Sequence, residues 1–94
     1  MSKYTRAEVE AIVVHVVAYF LEIPEADVTD EMDLSVDPSN PMCKDREYTE
    51  IDLAEIIMDL EDEFQLDING KAAEEADTVG KLKALCVKLT GAEG

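Results

Sequence analysis

Seven carboxylates crowd one stretch of this chain. Glu50, Asp52, Glu55, Asp59, Glu61, Asp62 and Glu63 all fall between residues 49 and 64, with no Lys or Arg among them. Paired carboxylates can do acid–base work, but only where the environment pushes their pKa values apart. On a solvated helix face they are surface charge, and their use is to meet a basic partner. The hydroxyls that could act as nucleophiles are Thr49, at the head of the stretch, and Ser35 and Ser39 upstream. The thiols are Cys43 and Cys86, and His15 is the single histidine. No Cys-His or Ser-His pairing has a plausible third member, and no phosphate-binding loop is present. His15 has no second histidine with which to build a metal site. Asp30, Asp33 and Asp37 invite a calcium reading. A calcium loop, however, needs oxygen ligands at alternate positions, a central Gly and a closing Glu, and residues 30–35 carry none of these in register. The chain is expected not to be an enzyme and not to hold a metal.

The elements that must position these groups are helical. Leu53, Ile57, Leu60 and Phe64 recur at steps of four, three and four, so they share one face of a helix. Thr49 can cap its start, with Asp52 three residues on as the capping-box acid. Like charges along the outer side repel by about a few tenths of a kcal/mol per pair. Packing must therefore hold this helix. Upstream, Thr5 and Glu8 form a capping box ahead of a stripe of Val9, Ile12, Val13, Val16 and Phe20, widened by Val14 and Val17. Pro24 stops that helix. Residues 23–48 read as one long connection, from which Val28, Met32, Leu34 and Val36 drop onto the bundle. Residues 65–70 make a turn with Leu66 and Ile68 inward, and residues 71–76 a short helix. Asp77 or Thr78 caps a last helix whose Val79, Leu82, Cys86 and Leu89 face the core. Cys86 is then a small buried hydrophobe. Lys81, Lys83 and Lys88 lie outward, Gly91 ends the helix, and residues 92–94 are expected to fray. The expected fold is all-α: a small antiparallel bundle of three long helices and one short helix, with a long first loop.

The residues around the acidic helix also resemble a known family. Ile51 to Phe64, followed by Leu66-Asp67-Ile68 and Asp77-Thr78-Val79-Gly80, is similar to the recognition helix and later segments of acyl carrier proteins. In that family an Asp-Ser-Leu triplet opens the recognition helix, and its serine carries a phosphopantetheine arm. Counting back from the Glu63-Phe64 pair, Thr49-Glu50-Ile51 falls on the triplet, so Glu50 stands at the serine position. Glutamate cannot form the phosphodiester. Its charge suits the positive end of a helix and could crudely imitate the phosphate of a loaded arm. The plainer reading is a favourable first-turn residue. Thr49 is one residue early and occupied as the cap. Ser35, in Leu34-Ser35-Val36-Asp37, and Ser39 are followed by Pro38 and Pro41, which argue against a helix opening there. The resemblance further implies that Ile51, Ala54 and Met58 are apolar contacts for partner enzymes, with Glu55, Glu61 and Asp62 as acids meeting their Arg and Lys. The first loop looks expanded around Pro38 to Asp45, beside the place of the arm.

Ninety-four residues make one domain, residues 1–94. Apolar residues at 47% supply a small core, so a net charge of −15 does not imply disorder. That charge argues against nucleic acid and against anionic membranes. No stretch is long and apolar enough to span a bilayer, no signal-peptide pattern opens the chain, and two cysteines do not make a disulfide framework. The reading is a cytoplasmic monomer with free thiols. Its expected job is non-catalytic docking or adaptor work among basic-patched enzymes of fatty-acid or polyketide-type metabolism. No cofactor is expected. One alternative is a genuine acyl or aminoacyl carrier, with phosphopantetheine on Thr49 or a loop serine. Another is an acidic inhibitor or nucleic-acid mimic.

Overall fold

A computed structural model describes residues 3–92 of the chain. The long elements are α1 (Arg6–Leu21), α3 (Glu50–Phe64) and α5 (Val79–Thr90); α2 (Pro41–Asp45) and α4 (Gly70–Glu75) are short. The expected all-α bundle is what forms. The long first loop holds more structure than the sequence suggested. It contains a 3-10 turn at Glu25–Asp27 as well as α2. Pro41, read as an obstacle to a helix, opens one. At the first helical position a proline loses no hydrogen bond, and its fixed φ suits the turn.

The central element is α1. Thr5 and Glu8 close the predicted capping box, with Thr5 N–H donating to Glu8 Oε1 at 2.9 Å and Glu8 N–H to Thr5 Oγ1 at 3.1 Å. Val9, Val13, Val16, Val17, Ala18 and Leu21 are buried, whereas Ile12 and Phe20, expected in the core, are half-buried. Its outward stripe is narrow: Ala7, Ala11, His15 and Tyr19, at four-residue steps. α3 and α5 both pack against it. The helix ends at Glu22 in the left-handed conformation (φ 56°), and Pro24 follows.

Two corrections concern the other long helices. In α3 Ile56 is fully buried, beside Ile57, Leu60 and Phe64, while Leu53 is only half-buried. In α5 Leu89 is 42% exposed, and Val87 occupies the core with Val79, Leu82 and Cys86. A period of 3.6 lets either Val87 or Leu89 lie beside Cys86 at the edge of the buried face, and in the packed bundle it is Val87. Ala92, expected to fray, is buried at 8% exposure and donates its N–H to Val87 O at 3.0 Å. Gly91, with φ 76°, permits this closing turn. Glu93 and Gly94 lie outside the described residues.

The loop is laced to the start of α5. Leu34 N–H donates to Asp77 O, Val79 N–H to Met32 O and Gly80 N–H to Asp30 O, at 2.8, 3.0 and 2.9 Å. A Cβ on Gly80 would lie 3.1 Å from Asp30 O, so the close approach favours glycine. Lys83, expected to lie outward, is instead half-buried against the loop. It reaches Asp30 at 2.6 Å with its side chain 18% exposed, and Lys81 pairs with Asp77. At the other end of the bundle Tyr4 meets Phe64 edge to face and donates its hydroxyl to Glu63 O.

Two measurements check this packing. Leu82→Ala removes a fully buried side chain and should cost about 2–5 kcal/mol in urea unfolding, whereas Leu89→Ala should cost under about 1. Stability should also fall in alkali. Burial pushes the Cys86 thiol from 9.0 up to about 12, so its neutral form is favoured in the folded chain. The unfolded chain loses that proton first. The contribution is therefore whole below pH 9.0 and lost as pH rises towards about 12. Cys86→Ala should flatten that part of the urea-midpoint profile.

Candidate functional site

The head of α3 is built by its cap. Thr49 Oγ1 accepts from Ile51 N–H at 3.2 Å, and Asp52 Oδ2 accepts from Thr49 N–H at 2.8 Å. The Thr49 hydroxyl also lies 3.3 Å from Asp52 Oδ2, as donor. Both its capacities are engaged. Glu50 follows as the first helical residue, exposed, at the end where helix amides leave a partial positive charge.

From Glu50 one open face runs down the helix. Ile51 is 69% exposed and Met58 61%, and Ala54, Glu55 and Asp62 are exposed with them. Ile51 and Met58 therefore lie outside the core. Isolated exposed apolar residues are ordinary, but two large ones on a face edged by acids make a continuous apolar strip. Glu61 stands apart from this group. It is half-buried, and its carboxylate accepts from Ile68 N–H at 2.8 Å, bracing the turn after α3.

Two grooves meet at Glu50 and Val36. One, of about 680 Å³, lies between the start of α3 and the α2 segment, with Pro38, Cys43 and Lys44 on the α2 side. The other, of about 610 Å³, runs between α3 and α4 and is lined by Leu53, Ile57 and Ala73. Sequence reasoning flagged the extra bulk before α3 but missed Lys44, Cys43 and Ala73 as groove residues. Only the loop's length hinted at the first groove, and nothing local marked the second.

The upstream serines are placed differently. Ser35 is half-buried; its N–H donates to Asp33 Oδ1 and its carbonyl accepts from Asn40. Ser39 is exposed in a turn, where its N–H donates to Asp37 Oδ1 at 2.9 Å. That bond, with the Ser39 hydroxyl, holds the Asp37 carboxyl below the usual carboxylate range. Neither serine opens a helix as Glu50 does.

The loop acids are committed to protein contacts: Asp30 to Lys83, Asp33 to Ser35 and Asp37 to Ser39. Among the described residues no group of three or more His, Cys, Asp or Glu is placed to hold a metal ion. His15 is exposed and pairs with Glu25 at 3.1 Å, away from both grooves. Among the described residues no helix is long and apolar enough to cross a membrane.

No family model matches the chain. Among curated proteins, the acyl carrier protein of Picosynechococcus sp. is 32% identical over 68 residues, covering 69% of this chain and 84% of that protein. Among solved structures, the acyl carrier protein from Enterococcus faecalis superposes with a TM-score of 0.67 at 28% identity, over 90% of this chain and 98% of that one. Fold, helix order and sequence thus agree, and the chain belongs to the acyl carrier protein family.

Proposed function

We propose that this chain is a docking or adaptor member of its family that carries no phosphopantetheine arm. The observation that carries the reading is Glu50, a carboxylate at the head of α3 where the family bears its serine. The residues present do not fit the arm. Position 50 has no hydroxyl, the Thr49 hydroxyl is engaged by the cap, Ser35 lies half-buried in the loop and Ser39 in a turn, neither at a helix start. The chain is non-catalytic and works as a cytoplasmic monomer.

The docking surface is the open face of α3. Ile51, Ala54 and Met58 supply apolar contact; Glu50, Glu55 and Asp62 supply charge for Arg and Lys of the partner, an enzyme of acyl metabolism. Glu61 is secondary, because it already serves Ile68. A net charge of −15 speeds encounter with a basic patch and works against nucleic acid. The rim acids set on-rate and salt dependence; the apolar residues set how long the complex lasts.

The test is binding to an immobilised synthase or acyltransferase that takes carrier proteins. Met58→Glu should weaken binding by at least about tenfold, since full burial of a Met side chain is worth about 1.5–3 kcal/mol. Glu55→Lys should mainly slow association and flatten the salt dependence. Unchanged affinity in Met58→Glu would remove the face from the interface. Binding that vanishes with salt yet tolerates Met58→Glu would favour an acidic inhibitor instead.

A further inference from the structure

We infer that the α2 segment is a fixed wall that decides which enzymes can use the start of α3. On this inference, loss of the serine is not the sole reason that a phosphopantetheine arm cannot be installed at position 50. It rests on the proposed reading only in taking position 50 as unloaded, and it stands or falls separately from docking along α3.

The case begins with Asn40. It is 2% exposed, the one buried amide side chain among the described residues. Its amide nitrogen donates to Asp33 O at 3.1 Å and Ser35 O at 2.8 Å, and its Oδ1 accepts from Met42 N–H at 3.1 Å. One side chain thus ties the loop before α2 to the first turn of α2. A buried amide satisfied at both ends fixes its surroundings, because each bond lost leaves a buried group without a partner. Beyond α2, Arg46 donates to Leu21 O at 2.7 Å, anchoring the segment to the end of α1. Tyr48 is 3% exposed and donates its hydroxyl to Leu34 O at 2.7 Å. The segment is pinned before, within and after α2.

What it presents to the head of α3 is solid. Pro38, Cys43 and Lys44 form the side of the groove that faces Thr49, Glu50 and Ile51. An enzyme that loads an arm must bring coenzyme A to the residue at position 50 and close around the helix start. The wall stands on one flank of that approach. The face used for docking, from Ile51 through Met58, lies along the helix and stays exposed. Lys44 also puts a cation on the flank of an otherwise acidic helix start, where it opposes a basic enzyme surface.

The experiment restores the nucleophile and then loosens the wall. Loading is a balanced transfer: the serine Oγ bonds to the phosphorus of the pantetheine phosphate, the bond from that phosphorus to the adenosine bisphosphate breaks, and the hydroxyl proton passes to solvent. Glu50→Ser, Glu50→Ser with Asn40→Ala, and Glu50→Ser with residues 38–45 replaced by a short Gly/Ser linker are each incubated with coenzyme A and a promiscuous phosphopantetheinyl transferase. Intact mass follows the arm, the Picosynechococcus acyl carrier protein serves as the positive comparator, and circular dichroism shows which variants fold. If Asn40→Ala does not fold, the linker variant is the comparison, and the reverse. The expected result is that Glu50→Ser loads at least tenfold more slowly than a folded variant with its wall loosened. Equal rates in Glu50→Ser and the loosened variant would overturn the inference. So would the absence of loading in every folded variant, since the wall would then not be what stands in the way.

Discussion

α1 is apolar around most of its circumference, and no single neighbour can cover it. Beyond its first turn only the stripe of Ala11, His15 and Tyr19 is exposed, continuing Ala7. Removing the rest from water is the main gain in folding, and it requires α3 and α5 together with the loop between α1 and α3. That requirement explains why so long a loop is well ordered. Val28, Leu34 and Tyr48 are buried from it. The polar backbone that goes down with them is paired, by the lacing to α5 and by Asn40. The placement of Glu50 is a consequence of this packing: α3 starts where the loop, fixed on both sides, delivers Thr49.

Electrostatics runs against folding and towards function. The acids of α3 have no basic partners on their own helix, and like charges at helical spacing destabilise it. The cap offsets part of this, because Glu50 and Asp52 sit at the positive end. Ile56, Leu60 and Phe64 supply the rest by burial. Two of the lysines on α5 do not relieve α3, since Lys83 and Lys81 pair with Asp30 and Asp77. The acidic face is left open to a second molecule, and the exposed Ile51 and Met58 lie within it.

Much of this was legible from residue order, and the misses share a cause. Capping boxes at Thr5 and Thr49 are local, and both form as read. The long helices follow from periodicity. What periodicity cannot settle is which residue at the edge of a stripe turns inward. Val87 rather than Leu89, and Ile56 alongside Ile57, are decided by neighbouring helices. The α2 segment was hidden because a proline reads as a breaker until its place in the helix is known. Asn40 before Pro41 is a cap signature, but its burial gave no signal, as the carbonyls of Asp33 and Ser35 are brought to it by the fold. At the candidate site, Glu50 and the outward face came from the family resemblance together with spacing. The bond from Ile68 to Glu61 was not legible, because it depends on how the chain turns after α3.

We propose, then, a carrier-family fold that works without its arm. Intact-mass spectrometry of the unaltered protein, as expressed and again after coenzyme A and a promiscuous phosphopantetheinyl transferase, tests it most directly. The expected result is the mass of the bare chain in both samples. An added phosphopantetheine would contradict the claim; fragmentation would then place it on Thr49, Ser35 or Ser39 and make the protein a carrier in its own right.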